Sequence, residues 1–370
     1  MRGHTIDWLM QRGHDAIVND APTTWLGNRV FLTPHSTRGG LVGRLLSNFL
    51  GVLGDLAILP LAFKGRYDII QVRDKFFAGI IAWLAARLTG AKFVYWMSYP
   101  FPESKLYEAR LRLVTHPHFV FVKWYIAYAV LYGLVLRVAD HVFVQSARMK
   151  DDVAAKGVAR CKMTAIPIGH GDDAKILNTT APILMHLGVI QKIRHSDMLV
   201  RALGLVRRRY PGATLVYVGE GQQQADRQVV ESEAARLGLG NAVTVTGFLP
   251  METAWEYVKR ADICFSPYYP IPVLLSTSPT KLIEYMAMAK CIVANEHPEQ
   301  CWVMEESGVG RCIPWSEQDF AEEVCRLLDD PEAARTAAAR GPDWVRAHRT
   351  YDVIADQVEA CYAALLAPRA

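Results

Sequence analysis

From Ile183 onward the chain repeats one unit: a short apolar run, a loop carrying glycine or a hydroxyl, then a helical stretch. The apolar runs are Ile183-Leu-Met-His-Leu-Gly, Ala213-Thr-Leu-Val-Tyr-Val-Gly, Val243-Thr-Val-Thr-Gly, Asp262-Ile-Cys-Phe-Ser, Cys291-Ile-Val-Ala and Gly310-Arg-Cys-Ile-Pro. Helical patterns over 197–210, 226–237, 251–260, 280–288 and 317–328 separate them. Strands alternating with helices of this length predict a parallel sheet, because a parallel connection needs a crossover. A similar series precedes it: Tyr67-Asp-Ile-Ile-Gln-Val, Lys92-Phe-Val-Tyr-Trp, His141-Val-Phe-Val and Lys162-Met-Thr-Ala-Ile-Pro, with helices over 76–88 and 147–156. Pro167-Ile-Gly-His-Gly-Asp-Asp interrupts the rhythm between the two series. At 370 residues the chain exceeds the size of one core, so two α/β domains joined near 170–180 are expected. Ligands of open parallel sheets bind beyond the carboxyl ends of the strands, which places a site in the cleft between them.

The composition is that of a globular chain, with 51% hydrophobic and 21% charged residues. A net charge of +4 is too small to argue for nucleic acid, and the run Arg207-Arg208-Arg209 reads as the end of an exposed helix. Six of the seven cysteines follow residue 260, none in a CxxC pair, which predicts free thiols in a reducing compartment and no metal site. Met1 to Arg12 has no apolar core of a secretory signal. The run 119–138 is long and apolar enough to span a bilayer, yet Lys123 and Arg137 flank it and it leads straight into a core strand. It is expected to pack in a domain and to touch a membrane surface through Trp124, Tyr125, Tyr128 and Tyr132, which together point to a cytoplasmic protein peripheral at the membrane.

The strand-end loops carry the chemistry. In Ser276-Thr-Ser-Pro-Thr-Lys-Leu-Ile-Glu, Ser278 reads as an N-cap and Pro279 as the first helical residue, a start whose free N–H groups suit a phosphate. Glu284 follows one turn on, placed to accept from a sugar or ribose hydroxyl. Gly188 is followed by Lys192 and Arg194, a pair able to neutralise a diphosphate. Gly219-Glu220-Gly221 lets backbone approach a ligand closely, and Gly247-Phe248 closes a further strand. Each loop alone also fits an ordinary solvated turn; their common sheet edge is what joins them.

Residues 183–345 resemble the donor-binding domain of a GT-B glycosyltransferase of the retaining family 4. The resemblance rests on Leu-Gly-x-Ile at 187–190, the run from Arg207 to Gly221, Val-Thr-Gly-Phe-Leu-Pro at 245–250, Ala-Asp-Ile-Cys-Phe-Ser-Pro at 261–267 and Ser-Pro-Thr-Lys-Leu-Ile-Glu-Tyr-Met-Ala at 278–287. The first half matches more loosely through Arg12-Gly-His, Ala139-Asp-His-Val-Phe-Val-Gln-Ser and the hinge-like Ile166-Pro-Ile-Gly-His-Gly-Asp, with Gly169 and Asp172 in matching places. Three segments are implied: an acceptor-binding Rossmann-like domain over 1–172, a donor-binding one over 173–343, and a closing helix over 344–370 that returns to the first domain. The family opens with a strand and a glycine-rich loop; here a short helical stretch leads from Met1 to Arg12, and the first strand of that domain is expected to be missing.

By position, the resemblance implies that Glu284 holds the nucleotide ribose and Arg194 takes the place of a phosphate-binding lysine. Lys192 stands in for an arginine expected at Val189. Gly188, Gly219, Glu220, Gly221, Gly247, Phe248, Ser276, Ser278, Thr280, Lys281, Leu282 and Glu284 are the expected donor-site residues. The sugar-facing glutamate of the family's E-x7-E motif is Ser276 here, and the histidine of the first domain is replaced by Trp96-Met-Ser-Tyr-Pro, leaving the polar role to Ser98 or Tyr99. The implied reaction is metal-independent transfer of a glycosyl group from a nucleotide sugar, with retention, assisted by Lys192, Arg194 and Glu284, in bacterial polysaccharide or glycolipid synthesis. Arg73, Lys75, Tyr99 and the 119–138 helix are expected to meet a glycan or polyprenyl-linked acceptor. Two other readings remain: a sugar-nucleotide 2-epimerase, which lacks an evident acid–base set here, and a non-catalytic nucleotide-sugar-binding or partner protein, a truncated homologue of the family.

Overall fold

The computed structural model describes residues 4–11, 23–25, 27–33, 50–114, 116–166, 181–221 and 223–367. Arg12-Gly-His and the hinge-like segment from Pro167, with Gly169 and Asp172, lie outside these residues.

The second series of apolar runs forms one all-parallel sheet of β8 (Ile183–Leu187), β9 (Thr214–Val218), β10 (Val243–Val245), β11 (Ile263–Ser266), β12 (Cys291–Asn295) and β13 (Cys312–Ile313), in the order 10-9-8-11-12-13. The order reverses at β8 and β11, so the loops after these central strands flank a natural crevice. Helices cover both faces, and the strands are accordingly apolar on both sides: β11 is buried along its whole length. One face packs Leu199, Leu203, Val206, Phe320 and Val324 against the strands; the other packs Leu282, Tyr285, Met286, Val303 and Trp344.

In the first half, β4 (Ile69–Arg73), β5 (Lys92–Met97), β6 (His141–Val144) and β7 (Met163–Ala165) form a parallel sheet in sequence order. Ahead of them, β1 (Asp7–Gln11), β2 (Thr23–Trp25) and β3 (Asn28–Thr33) make a separate sheet, ordered 1-3-2. Here the expected helical stretch before Arg12 is corrected: residues 7–11 are extended. Their parallel ladder to β3 and a forked ion pair, Arg29 Nε and Nη2 to the two Asp7 oxygens at 2.8 and 2.6 Å, outweigh local helix preference. Among the described residues no strand joins β1 to β4, and a hydrogen bond from Tyr67 to Asp7 links the two sheets.

The helix Tyr351–Leu366 crosses back onto the first half, where Ile354, Val358 and Tyr362 pack with Val94, Phe143 and Ile166. Thr350 caps its start by accepting from the Val353 amide. Its predecessor, Gly341–His348, stays on the second half with Trp344 and Val345 buried against the Thr280–Ala287 helix, so the crossing falls between His348 and Tyr351.

Candidate active site

At the carboxyl end of β8, Gly188 adopts a φ of +126°, and a Cβ there would lie 2.8 Å from Lys281 Cε. The lysine therefore crosses the strand end over the glycine backbone. Next to it, Gly219 (φ +148°) approaches so closely that a Cβ would sit 2.1 Å from the Gly188 carbonyl. Gly219 also bridges Gly247, and the Gly188 amide donates to Val218 O at 2.9 Å. Three of the predicted glycines thus build one tight floor, as only residues without Cβ permit. Glu220 lies against that floor, one oxygen 3.6 Å from where a Gly247 Cβ would sit: its carboxylate accepts from the Gly221 amide at 2.9 Å and from Arg227 at 2.9 Å, which hold it below the usual range. Phe248 projects 72% exposed at the rim.

The helix Thr280–Ala287 points its amino end at this floor. Pro279, not Ser278, occupies the N-cap position, and among the described residues no side chain caps the helix. Ser278 instead donates to Glu299 Oε1 at 3.0 Å, a buried carboxylate that outcompetes the local amide. The free N–H groups of the first turn remain available to an anion. Leu282 is fully buried in the core behind the helix.

Arg194, Lys281 and Glu284 come together at this helix start. Burial and the neighbouring Arg194 charge push the Lys281 ammonium down to about 7, with Glu284 pulling the other way. Burial pushes the Glu284 carboxyl up to about 7, opposed by Lys281. Lys281 lies 5.4 Å over the Tyr268 ring, and Arg194 Nε is held by Gln191 Oε1 at 2.8 Å. Lys192 shares the turn Lys192–Arg194, but its side chain is exposed; among the described residues only its amide is engaged, donating to Asp226 at 3.1 Å. The second cation beside Arg194 is therefore Lys281. Thr280 is half-buried at the first helical position.

Ser276 does not open into the cleft. It is 4% exposed, its hydroxyl donates to Asp152, and its carbonyl accepts from Ser146 Oγ at 2.6 Å. Both partners belong to the first half, on the helix Ala147–Ala154 and at its N-cap. Ser276 is thus a seam between the halves. The same seam includes Tyr99 and Tyr107, packed against Ile193, Tyr268 and Ile271. Ser98, the other polar candidate there, is bound through its amide (2.8 Å) and hydroxyl to Asp74. Lys75 is held by Asp55 at 2.6 Å, and Arg73 lies 3.7 Å from Asp74.

Several supporting residues carry no local sequence signature. Asn295 clamps the loop after β11 by accepting from the Tyr268 amide at 2.7 Å and donating to its carbonyl at 2.8 Å. His297 caps the helix Pro298–Ser307 through Nδ1 while Nε2 faces Leu274 O at 3.2 Å, and burial holds it down to about 4, hence neutral. Glu299 is paired with Arg349 at 3.0 Å, both nearly buried, and the guanidinium lies 5.4 and 5.6 Å from the rings of Trp302 and Trp344, which meet edge-on at 6.0 Å. Only the spacing from Pro298 hinted at a helix start there.

The family description "Glycosyl transferase 4-like domain" matches residues 2–169, and "Glycosyl transferases group 1" matches residues 181–330. The structure resembles sucrose-phosphate synthase from Thermosynechococcus elongatus with a TM-score of 0.73 at 19% identity, over 98% of this chain and 89% of that one. It also resembles the Anabaena protein HepE, solved with UDP, with a TM-score of 0.65 at 17% identity over 90% of this chain and 85% of that one. A curated relative, the alpha-D-kanosaminyltransferase of Streptomyces kanamyceticus, is 24% identical over 184 residues, 49% of this chain. The chain spans 45% of the length of that relative. Two α/β halves meeting at one seam, with both halves matched in order, make the chain a member of the group 1, family 4-like glycosyltransferases of GT-B fold.

Proposed function

We propose that the chain transfers a glycosyl group from a nucleotide-sugar donor, with retention at the anomeric carbon, to a glycan or polyprenyl-linked acceptor in bacterial polysaccharide or glycolipid synthesis. The observation that supports this best is the convergence of Arg194, Lys281 and the uncapped start of the Thr280–Ala287 helix over the glycine floor. Charge grows on the departing diphosphate as the glycosidic bond breaks, and fixed cations and amides aimed there lower the barrier without reorganising. Arg194 offers a planar fork to two phosphate oxygens, and Lys281 a point charge. No step in this scheme calls for a metal ion. Glu284, one turn along, accepts from the ribose hydroxyls. The acceptor enters from the first half, near Tyr99, and the protein works in the cytoplasm at the inner face of the membrane.

The test is to incubate the purified chain with a panel of nucleotide sugars and acceptors, following nucleoside diphosphate release and the anomeric proton of the product by NMR. Inverted product would refute retention. A second reading, a homologue that binds donor without turning it over, is favoured by Ser276: a hydroxyl committed to Asp152 stands where the family's sugar-facing carboxylate is expected. Donor binding without release in every combination would decide for it.

A further inference from the structure

Two helices of the first half are built inside out. The helix Phe76–Thr89 buries Ala78, Gly79, Ala82, Ala85 and Ala86. Its outer stripe holds Phe77, Leu84 and Leu88, which are 54%, 43% and 57% exposed. The helix starting at Pro117 continues to Val138, and its first segment, Pro117–Val130, buries only Ala127 while leaving Phe119 71%, Val122 58% and Ile126 51% exposed. A helix facing water carries the opposite pattern, with large apolar residues inward. Both helices put their inner faces into one core over β4–β7, and Phe76 touches Trp124 edge-on at 5.8 Å. They lie side by side, so the two outer stripes form one apolar face.

Charge indicates what covers that face. Between residues 76 and 138 the sequence has seven Lys or Arg and two acids, Glu103 and Glu108. The acids are engaged inward, by Tyr132 and Lys156 and by Lys105 respectively. Arg87, Arg110, Arg112 and Lys123 are exposed around the face and have no acidic partner among the described residues. Arg110 and Lys123 lie over the rings of Phe121 and Trp124, and an apolar surface rimmed by cations without acidic partners fits the headgroup boundary of an anionic bilayer. The same helix does not span: Leu131, Tyr132, Val135 and Leu136 in its second half are buried in the domain core.

We propose that this face docks flat on a membrane of anionic lipids, with Phe119, Val122, Ile126, Phe77, Leu84 and Leu88 in the acyl boundary and the four cations at the phosphates. The helix Phe101–Arg110 connects the face to the cleft: it begins beside Tyr99 at the seam, ends at Arg110, and spans about 15 Å at the usual rise per residue. Resting on the acceptor reading above, this geometry selects acceptors whose lipid stays in the bilayer while the headgroup reaches the cleft.

Flotation of the full chain with phosphatidylcholine vesicles, with and without phosphatidylglycerol, tests the docking itself. Binding is expected with phosphatidylglycerol and to weaken with salt. Arg112→Glu and Lys123→Glu are each expected to weaken it by about fivefold or more, the effect of one basic residue near such a surface. Phe119→Ser combined with Ile126→Ser should abolish it, while Leu237→Ser on the second half leaves it intact; an unchanged thermal midpoint verifies folding. Failure to float with phosphatidylglycerol, equal flotation of the Phe119/Ile126 variant, or light scattering that places the face in a dimer would each overturn the proposal. Nucleoside diphosphate binding, measured without vesicles, separates this outcome from failure of the donor site.

Discussion

Lys281→Met removes one charge from the proposed donor site and keeps most of the side-chain volume. In the empty protein Lys281 is held near 7 by burial and by Arg194, against an ordinary value of 10.5. A bound diphosphate favours the ammonium, so binding draws a proton onto Lys281 whenever the pH exceeds about 7. Full recovery of the 3.5-unit difference, 10.5 less 7, corresponds to about 5 kcal/mol as an upper limit. Solvent reaching this half-buried group cuts that limit to about 2 kcal/mol. Below the empty-site value Lys281 is already charged, and Lys281→Met then loses one charge-assisted contact of about 1.5–3 kcal/mol, roughly 10- to 150-fold in affinity. Calorimetry of nucleoside diphosphate binding in buffers of different ionisation enthalpy reads both quantities. The wild-type protein should take up roughly two-thirds of a proton per diphosphate at pH 8, with affinity falling as pH rises from 7; the variant should show neither. Wild-type affinity in Lys281→Met, or no proton uptake by the wild-type protein above pH 7, would refute the assignment.

Three further outcomes follow from the same geometry. Gly188→Ala forces a side chain into a φ of +126° and against Lys281 Cε, so stability should drop by about 1–3 kcal/mol in urea unfolding, with donor affinity falling alongside. Arg349→Met strands Glu299 without its cation, and the expected loss is about 3 kcal/mol at pH 8. Burial already lifts Glu299 to about 7, so this loss should shrink below pH 7, where the carboxyl protonates; a loss independent of pH would contradict the pairing. Glu284 sits near 7 folded against 4.5 in the open chain, so the folded state holds the extra proton between these values. Its contribution to stability therefore falls as pH rises from 4.5 to 7. Glu284→Gln should flatten the thermal midpoint over that window and weaken nucleoside binding, and unchanged curves would remove Glu284 from the site.

Much of the molecule is written locally in the chain. Periodicity and turn residues place β4 to β13 and most helices between them, because a strand buried on both faces must be apolar throughout and its crossover helix must be amphipathic. The glycines at 188, 219 and 247 were legible too, since each takes a positive φ that side chains rarely adopt, and at Gly219 the Gly188 carbonyl also leaves no room for a Cβ. What local pattern cannot carry is competition between partners distant in sequence. Ser278 has the spacing of an N-cap, but a carboxylate 21 residues on takes its hydroxyl. Ser276 looks like a cleft residue, yet it answers to Ser146 and Asp152, 130 and 124 residues back. Residues 7–11 are a strand only because β3 lies beside them.

Lys192 and Lys281 show the division most plainly. Both are lysines near a strand end, and by sequence Lys192 is the neighbour of Arg194. The turn that holds Arg194 leaves Lys192 in solvent, while the helix after β11 carries Lys281 across Gly188 to meet it. The amino-acid sequence by itself determined two parallel-sheet halves, a cleft and the residue types at its rim. The tertiary structure decided which of those side chains share one charge field, because that depends on separation in space, and on how much water lies between them.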